Sequence, residues 1–202
     1  MLFRSRYAPQ LTQDRENFLR QLGMMKDEIH RLSELIQSFL HYGKPIEVRP
    51  APTDVRLLVR DVLALSESKL KSQGTETVED GQDVPAVLNV DAEKLRTCFI
   101  NVVANAIQAM PDGGALRIGC RRDDASFVIT FSDSGAGIDP EVAAHAFEPF
   151  FTTRREGIGL GLFLSKAIVE GHGGTITIGP NLSSRGTTVT FTFPPGTTSK
   201  QP

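Results

Sequence analysis

Apolar positions along this chain recur with different periods, and each period marks a different kind of element. Between Phe18 and Phe39, the residues Phe18, Leu22, Met25, Ile29, Leu32, Ile36 and Phe39 alternate spacings of four and three. Such a seam belongs to a coiled coil or bundle rather than to a lone surface helix, so this helix is expected to have partners. It ends near Gly43, Lys44 and Pro45. A second helix is predicted from about Thr53 to Lys71, and a third, strongly amphipathic, from Asp91 to Met110. In the third, Leu95, Phe99, Val102, Val103, Ala106 and Met110 make the core face and Asp91 is a candidate N-cap. A further helix, with an apolar stripe at Leu160, Leu164, Ala167 and Ile168, starts in a glycine-rich segment.

Strand patterns fill the intervals. A short strand is expected near Glu47 to Arg49, with others at 75–79 and 86–90. ALRIGC and FVITF (Phe127 to Phe131) read as a hairpin turning at Arg121 to Ala125, and GTITIG and TTVTFTF as two closing strands. Helices on one face of a mixed sheet make an α+β fold, a two-layer α/β sandwich, here preceded by the long heptad-patterned helix. The polar tail from Gly196 to Pro202 is expected to be disordered.

Candidate chemistry concentrates between Asp91 and Gly174. FVITF is a buried strand that delivers Asp133 to the turn DSGAGI (Asp133 to Ile138), where Gly135 and Gly137 permit close approach of the backbone to a flat ligand. GIGLGL (Gly157 to Leu162) opens a helix whose free N–H groups and positive dipole end make a phosphate site. FEPFFTTRRE joins the two. On the Asp91 helix, Asn101, Asn105 and Gln108 recur at i, i+4 and i+7 opposite the core face. Three neutral side chains on one stripe suit a magnesium ion that keeps several waters and is held mainly through substrate phosphates. The bland readings are turn glycines, a solvated helix face at Asn101 and Asn105, a solvated pair at Arg154 and Arg155, and Phe147, Phe150 and Phe151 as packing anchors.

The order of these elements, from about Asp91 to Pro194, resembles the ATP-binding domain of sensor histidine kinases, the Bergerat-type ATPase fold. NVVANAIQAMPDGG looks like the family's N box, DSGAGI its G1 box, FEPFF its F box and GIGLGL its G2 box. Four boxes in order are far more specific than any one. The resemblance implies that Asp133 accepts a hydrogen bond from the adenine amino group and that Asn105 is the magnesium ligand, with Asn101 close by. It implies nucleotide contacts from Gln108, Gly135 and Gly137, and from Gly157, Gly159, Leu160, Gly161 and Leu162 around the phosphates. Thr187 would support Asp133 through water, and Arg154 or Arg155 would reach the terminal phosphate, as a guanidinium does well. ATP and Mg2+ are the implied cofactors. In the related chaperone, gyrase and mismatch-repair ATPases the position of Asn101 is usually a glutamate that activates water. A carboxamide cannot take up that proton, so transfer to an incoming nucleophile is favoured over steady hydrolysis.

The N-terminal pattern DEIHRLSELIQSFLHYGKP resembles the second helix of the kinase dimerisation and phosphoacceptor hairpin. The implied organisation is a partial dimerisation region over 1–45, an ATP-binding catalytic domain over 46–195 and a tail over 196–202. None of His30, His41, His145 and His172 is followed by the acidic residue and nearby proline of a phosphoacceptor box. The chain is therefore expected to begin just after that histidine. His172 in EGHGG is expected to close a helix C-terminus, where a histidine is electrostatically comfortable. The implied partners are a second copy through the N-terminal helix and a response regulator receiver domain. The short lid and NAIQAMPDGG look similar to the nitrogen-regulation type of sensor kinase.

Composition narrows this picture only modestly. The chain has 202 residues, enough for one well-cored domain plus a helical appendage, and 40% hydrophobic content. No apolar run approaches about 18 residues and no signal-peptide pattern opens the chain, so no membrane segment is expected in it and a cytoplasmic location is. A longer parent is compatible with membrane attachment. A net charge of −2 without a basic stripe gives no case for nucleic acid. Cys98 and Cys120 read as reduced core residues. Two other readings stay open: a degenerate kinase acting as an ATP-binding interaction module without phosphotransfer, and an anti-sigma-factor type of serine kinase, which usually lacks such a heptad helix.

Overall fold

The structure is a computed structural model that describes residues 15, 17–22, 25, 46–81, 85–122, 126–154 and 157–194. The chain divides into two units, Met1–Tyr42 and Gly43–Pro202. In the first, residues 15, 17–22 and 25 are helical, and Phe18, Leu22 and Met25 of the predicted seam are exposed, as is Leu19. Ile29, Leu32, Ile36 and Phe39, together with His30 and His41, lie outside the described residues, as does the tail.

The second unit runs β1 (Ala51–Asp54), α1 (Val55–Ser72), β2 (Thr75–Asp80), β3 (Val87–Val90), α2 (Ala92–Ala109), β4 (Gly114–Arg122), β5 (Phe127–Asp133), α3 (Pro140–His145), α4 (Gly161–Gly171), β6 (Thr175–Pro180) and β7 (Thr187–Phe193). The main sheet has the order β2-β4-β5-β7-β6, with β2 parallel to β4 and the other pairs antiparallel. The expected hairpin is present, Ile118 opposite Phe131 and Cys120 opposite Ile129. Every second residue of β5, namely Phe127, Ile129, Phe131 and Asp133, is buried, as are Thr187, Val189, Phe191 and Phe193 of β7. That period of two points one sheet face at the helices, and the other carries half-buried Thr130, Ser132, Thr188, Thr190 and Thr192. Phe99 of α2 stands between Phe131 and Phe191, its ring centroid 5.3 Å from each, and anchors the helix layer to the strand that ends in Asp133.

One sequence expectation needs correction. No strand forms at Glu47–Arg49: residues 46–50 are irregular, and the strand lies later, at β1. Its partner is β3, in a separate two-stranded sheet with Ala51 opposite Val90. Pro50 and Pro52 interrupt the alternation that strand reading depends on. Among the described residues, no helix is long and apolar enough to cross a membrane.

Candidate nucleotide site

Helix α2 is the spine of the site. Asp91 caps its N-terminus, the carboxylate accepting from the Lys94 N–H, and seven apolar side chains bury its inner face. The opposite stripe then meets three separate segments in order. The Asn101 Nδ2 donates to the carbonyl of Gly161 at 3.2 Å, Asn105 and Gln108 meet Arg154, and the Ala109 carbonyl accepts from the N–H of Ala136 at 3.2 Å. From position 101 to 109 the helix rises about 12 Å. Along that length it gathers the start of α4, the arginine of FFTTR and the DSGAGI turn.

Asp133 is buried at 6% exposure, with one carboxylate oxygen doubly held. Oδ1 accepts from the N–H of Gly135 at 2.9 Å and of Thr187 at 3.2 Å. Both bonds fall on Oδ1, so Oδ2 remains for an outside donor. Burial pushes the Asp133 carboxyl above its ordinary range, while the Gly135 and Thr187 N–H groups pull the other way. The Thr187 N–H thus supports Asp133 directly through the backbone. Gly135 also has a different reason for being glycine than ligand approach. A Cβ there would stand 2.4 Å from the Ala109 carbonyl oxygen, so its smallness lets the turn close onto α2. Gly137 lies on the exposed side of the same turn.

Leu160 precedes α4 without a side-chain cap, leaving the first N–H groups of the helix open for an anion. Leu160 itself is buried and Leu162 half-buried against the core, so at these positions the main chain is what faces a ligand. Gly159 accepts from the Phe150 N–H at 3.1 Å, which closes the base of the loop containing Gly157. Phe147 packs on the core, whereas the Phe150 side chain is 62% exposed, at a φ of +65°.

Arg154 makes the densest polar contact of the site. Its Nη1 donates to Asn105 Oδ1 and Gln108 Oε1, each at 2.5 Å, and Nη2 to the Asn105 carbonyl at 3.4 Å. Two side-chain carbonyl oxygens therefore face one cation-accepting point, which is the donor chemistry a magnesium ion bound largely through phosphates requires. Among the described residues, no group of three His, Cys, Asp or Glu side chains forms a metal site. Arg155 lies outside the described residues.

Sequence reasoning missed the β6–β7 loop. Asn181 donates from Nδ2 to the Asp133 carbonyl at 2.8 Å, Arg185 Nε donates to the Ala136 carbonyl at 3.4 Å, and the Asn181 N–H donates to Gly186. NLSSRG reads as an ordinary turn, and nothing in its composition announces that it clamps a segment some fifty residues away. Some turn residues carry their meaning only in tertiary contact.

Comparison with known proteins agrees with this geometry. Residues 90–197 match the family described as histidine kinase-, DNA gyrase B-, and HSP90-like ATPase. The chain is 30% identical over 174 residues to the signal transduction histidine-protein kinase AtoS of Escherichia coli (strain K12), covering 86% of this chain and 28% of AtoS. It is 31% identical over 179 residues to the sensor histidine kinase ZraS of the same organism, covering 89% and 38%. The chain thus spans about a third of these relatives' length. Full-length ShkA in complex with AMPPNP has a TM-score of 0.78 at 25% identity, covering 93% of this chain and 40% of ShkA. The catalytic domain of histidine kinase ThkA has 0.66 at 27%, covering 74% and 96%. The expected mixed sheet with its helix layer is this fold, and the chain belongs to the histidine kinase-, DNA gyrase B-, and HSP90-like ATPase family.

Proposed function

We propose that this chain binds Mg-ATP and donates the γ-phosphate to a histidine of a dimerisation domain, as the catalytic region of a sensor histidine kinase, feeding a response regulator receiver domain. The observation that carries this reading is Asp133. Its Oδ1 is committed to two backbone N–H groups, which leaves Oδ2 available for the amino group of an adenine. The open N–H groups at the start of α4 receive the phosphates. Magnesium, held by Asn105 with Asn101 nearby, would supply neutralisation of charge on the phosphates.

Transfer is favoured over hydrolysis because no strong base stands on the α2 stripe. Asn101 has a carboxamide there, tied to Gly161, and it orients the start of α4 without abstracting a proton. In the transfer, an imidazole nitrogen forms a bond to the γ-phosphorus as the bond to the β–γ bridging oxygen breaks and ADP leaves. Arg154 donates to the transferring group. The exposed Phe18, Leu22 and Met25 support association of the N-terminal helix with a second copy.

The test is transfer of radiolabelled γ-phosphate to a dimerisation hairpin that carries a phosphoacceptor histidine, with Asp133→Ala as control. Acid-labile label on the hairpin, lost in the control, is expected. Nucleotide binding without any transfer would leave an ATP-binding module in its place.

A further inference from the structure

We propose that Arg154 distinguishes ATP from ADP by exchanging partners: without a γ-phosphate its guanidinium stays on Asn105 and Gln108 and competes with the metal for Asn105, and with one it leaves for the phosphate. This rests on the reading of the site as an ATP site and assigns its selectivity and order of assembly.

The argument begins with what Arg154 touches. All three acceptors, Asn105 Oδ1, Gln108 Oε1 and the Asn105 carbonyl, are neutral. Among the described residues no carboxylate pairs with it. A guanidinium offers five donors and no acceptor, and its bonds to anionic oxygens are about twice as strong as those between neutral partners. A phosphate within reach therefore outcompetes the two amides. The converse also holds. When no phosphate is present, the α2 stripe is the best acceptor available, and the guanidinium closes it.

Asn105 cannot serve both cations at once. Magnesium demands close, near-octahedral oxygens, and a guanidinium on the same Oδ1 adds both steric blockage and like-charge repulsion. Metal occupancy and the Arg154 contact thus exclude each other at this oxygen. ADP lacks the group that removes Arg154, so ADP must bind its metal against the guanidinium, whereas ATP supplies the displacing anion itself. The loop base confines the exchange to a short range. The Phe150 N–H donates to the Gly159 carbonyl, and the Arg154 N–H donates to Thr152 Oγ1 at 3.1 Å, so the guanidinium swings about a tethered backbone.

Equilibrium binding of fluorescent ADP and of a non-hydrolysable ATP analogue, each titrated with and without Mg2+, tests this. The wild type is expected to prefer the triphosphate in Mg2+ by about tenfold, the size of one charge-assisted hydrogen bond. Arg154→Ala should weaken the triphosphate and tighten Mg-ADP, bringing the ratio near one. Gln108→Ala, which removes a partner of Arg154 without removing Arg154, should tighten Mg-ADP severalfold. An unchanged ratio in Arg154→Ala, or equal weakening of both nucleotides in Gln108→Ala, overturns the exchange. Asp133→Asn keeps the two failures apart: loss of both nucleotides in that variant upholds the ATP site whatever Arg154 does, and a wild type that binds neither nucleotide overturns the site reading itself.

Discussion

His172 and Asp91 are joined by a hydrogen bond that fixes the state of the ring: the Asp91 N–H donates to His172 Nε2 at 2.9 Å, and His172 Nδ1 donates to the Ile168 carbonyl at 2.8 Å. With Nε2 accepting and Nδ1 donating, the ring closes the C-terminus of α4, the place its position in EGHGG suggested. The bond ties the C-terminal end of α4 to the N-cap of α2, while Asn101 ties the start of α4 to the middle of α2. The two helices run antiparallel, and α4 is fastened to α2 at both of its own ends. Arg49 joins the first fastening, its N–H donating to Asp91 Oδ2 at 3.0 Å.

His172→Ala is expected to destabilise the second unit by about 2 kcal/mol, because it strands the Asp91 N–H and the Ile168 carbonyl beside a buried site. Thermal denaturation measures this. Nucleotide affinity should fall far less than stability, since the fastening lies at the end of α4 away from its open N–H groups.

Asp133→Asn should separate binding from folding. The amide oxygen can still accept from Gly135 and Thr187, and a desolvated charge is removed, so stability is held or rises. Facing adenine, the amide presents a donor to a donor, and ATP affinity should fall about a hundredfold. Calorimetric titration alongside a melting curve reads both; a variant that binds normally would refute the role of Asp133.

Acidification should expose two carboxylates with opposite signs. Burial raises Asp133, so its contribution to stability is present below the ordinary value of 3.8 and is lost as pH rises through the higher folded value. For Asp91 burial pushes upward, but the Arg49 and Lys94 N–H groups win and hold the carboxyl below 3.8, so its contribution is present above that value and lost as pH falls through the folded one. If the proposed role of Asp133 holds, nucleotide binding needs its ionised form and should weaken on acidification before the Asp91 cap fails. Binding measured from about pH 7 to about pH 4 would show that order.

Gly186→Ala should abolish nucleotide binding and cost about 3 kcal/mol. Gly186 sits at a φ of +144°, and an added Cβ would stand 1.9 Å from the Asp133 carbonyl oxygen. A folded variant with normal affinity would show that the clamp on Asp133 is dispensable.

Asn101→Glu should introduce a base on the α2 stripe. Phosphate release without acceptor is expected to rise about tenfold, below what a well-placed base contributes, and the loss of the bond to Gly161 should cost some stability. Unchanged release would argue against Asn101 as the position that decides between transfer and hydrolysis.

Much of this protein can be read without coordinates, for local reasons. The 3.6-residue period of Leu95, Phe99, Val102 and Ala106, with Asp91 before it, specifies α2 almost to its ends, and the alternation in FVITF specifies a strand ending in Asp133. DSGAGI and GIGLGL place a carboxylate and an uncapped helix start, because glycine and periodicity act within a few residues of themselves. What tertiary structure decided is of another kind. The pairing of β1 with β3 joins segments 39 positions apart at Ala51 and Val90, Arg154 finds Asn105 at a separation of 49, and Asn181 finds the Asp133 carbonyl at 48. His172 Nε2 finds its donor in the N–H of Asp91, 81 residues earlier. Composition and period decide which elements form, whereas the partner of each polar group follows from which loops the packed core brings within about 3 Å, a distance no local pattern encodes.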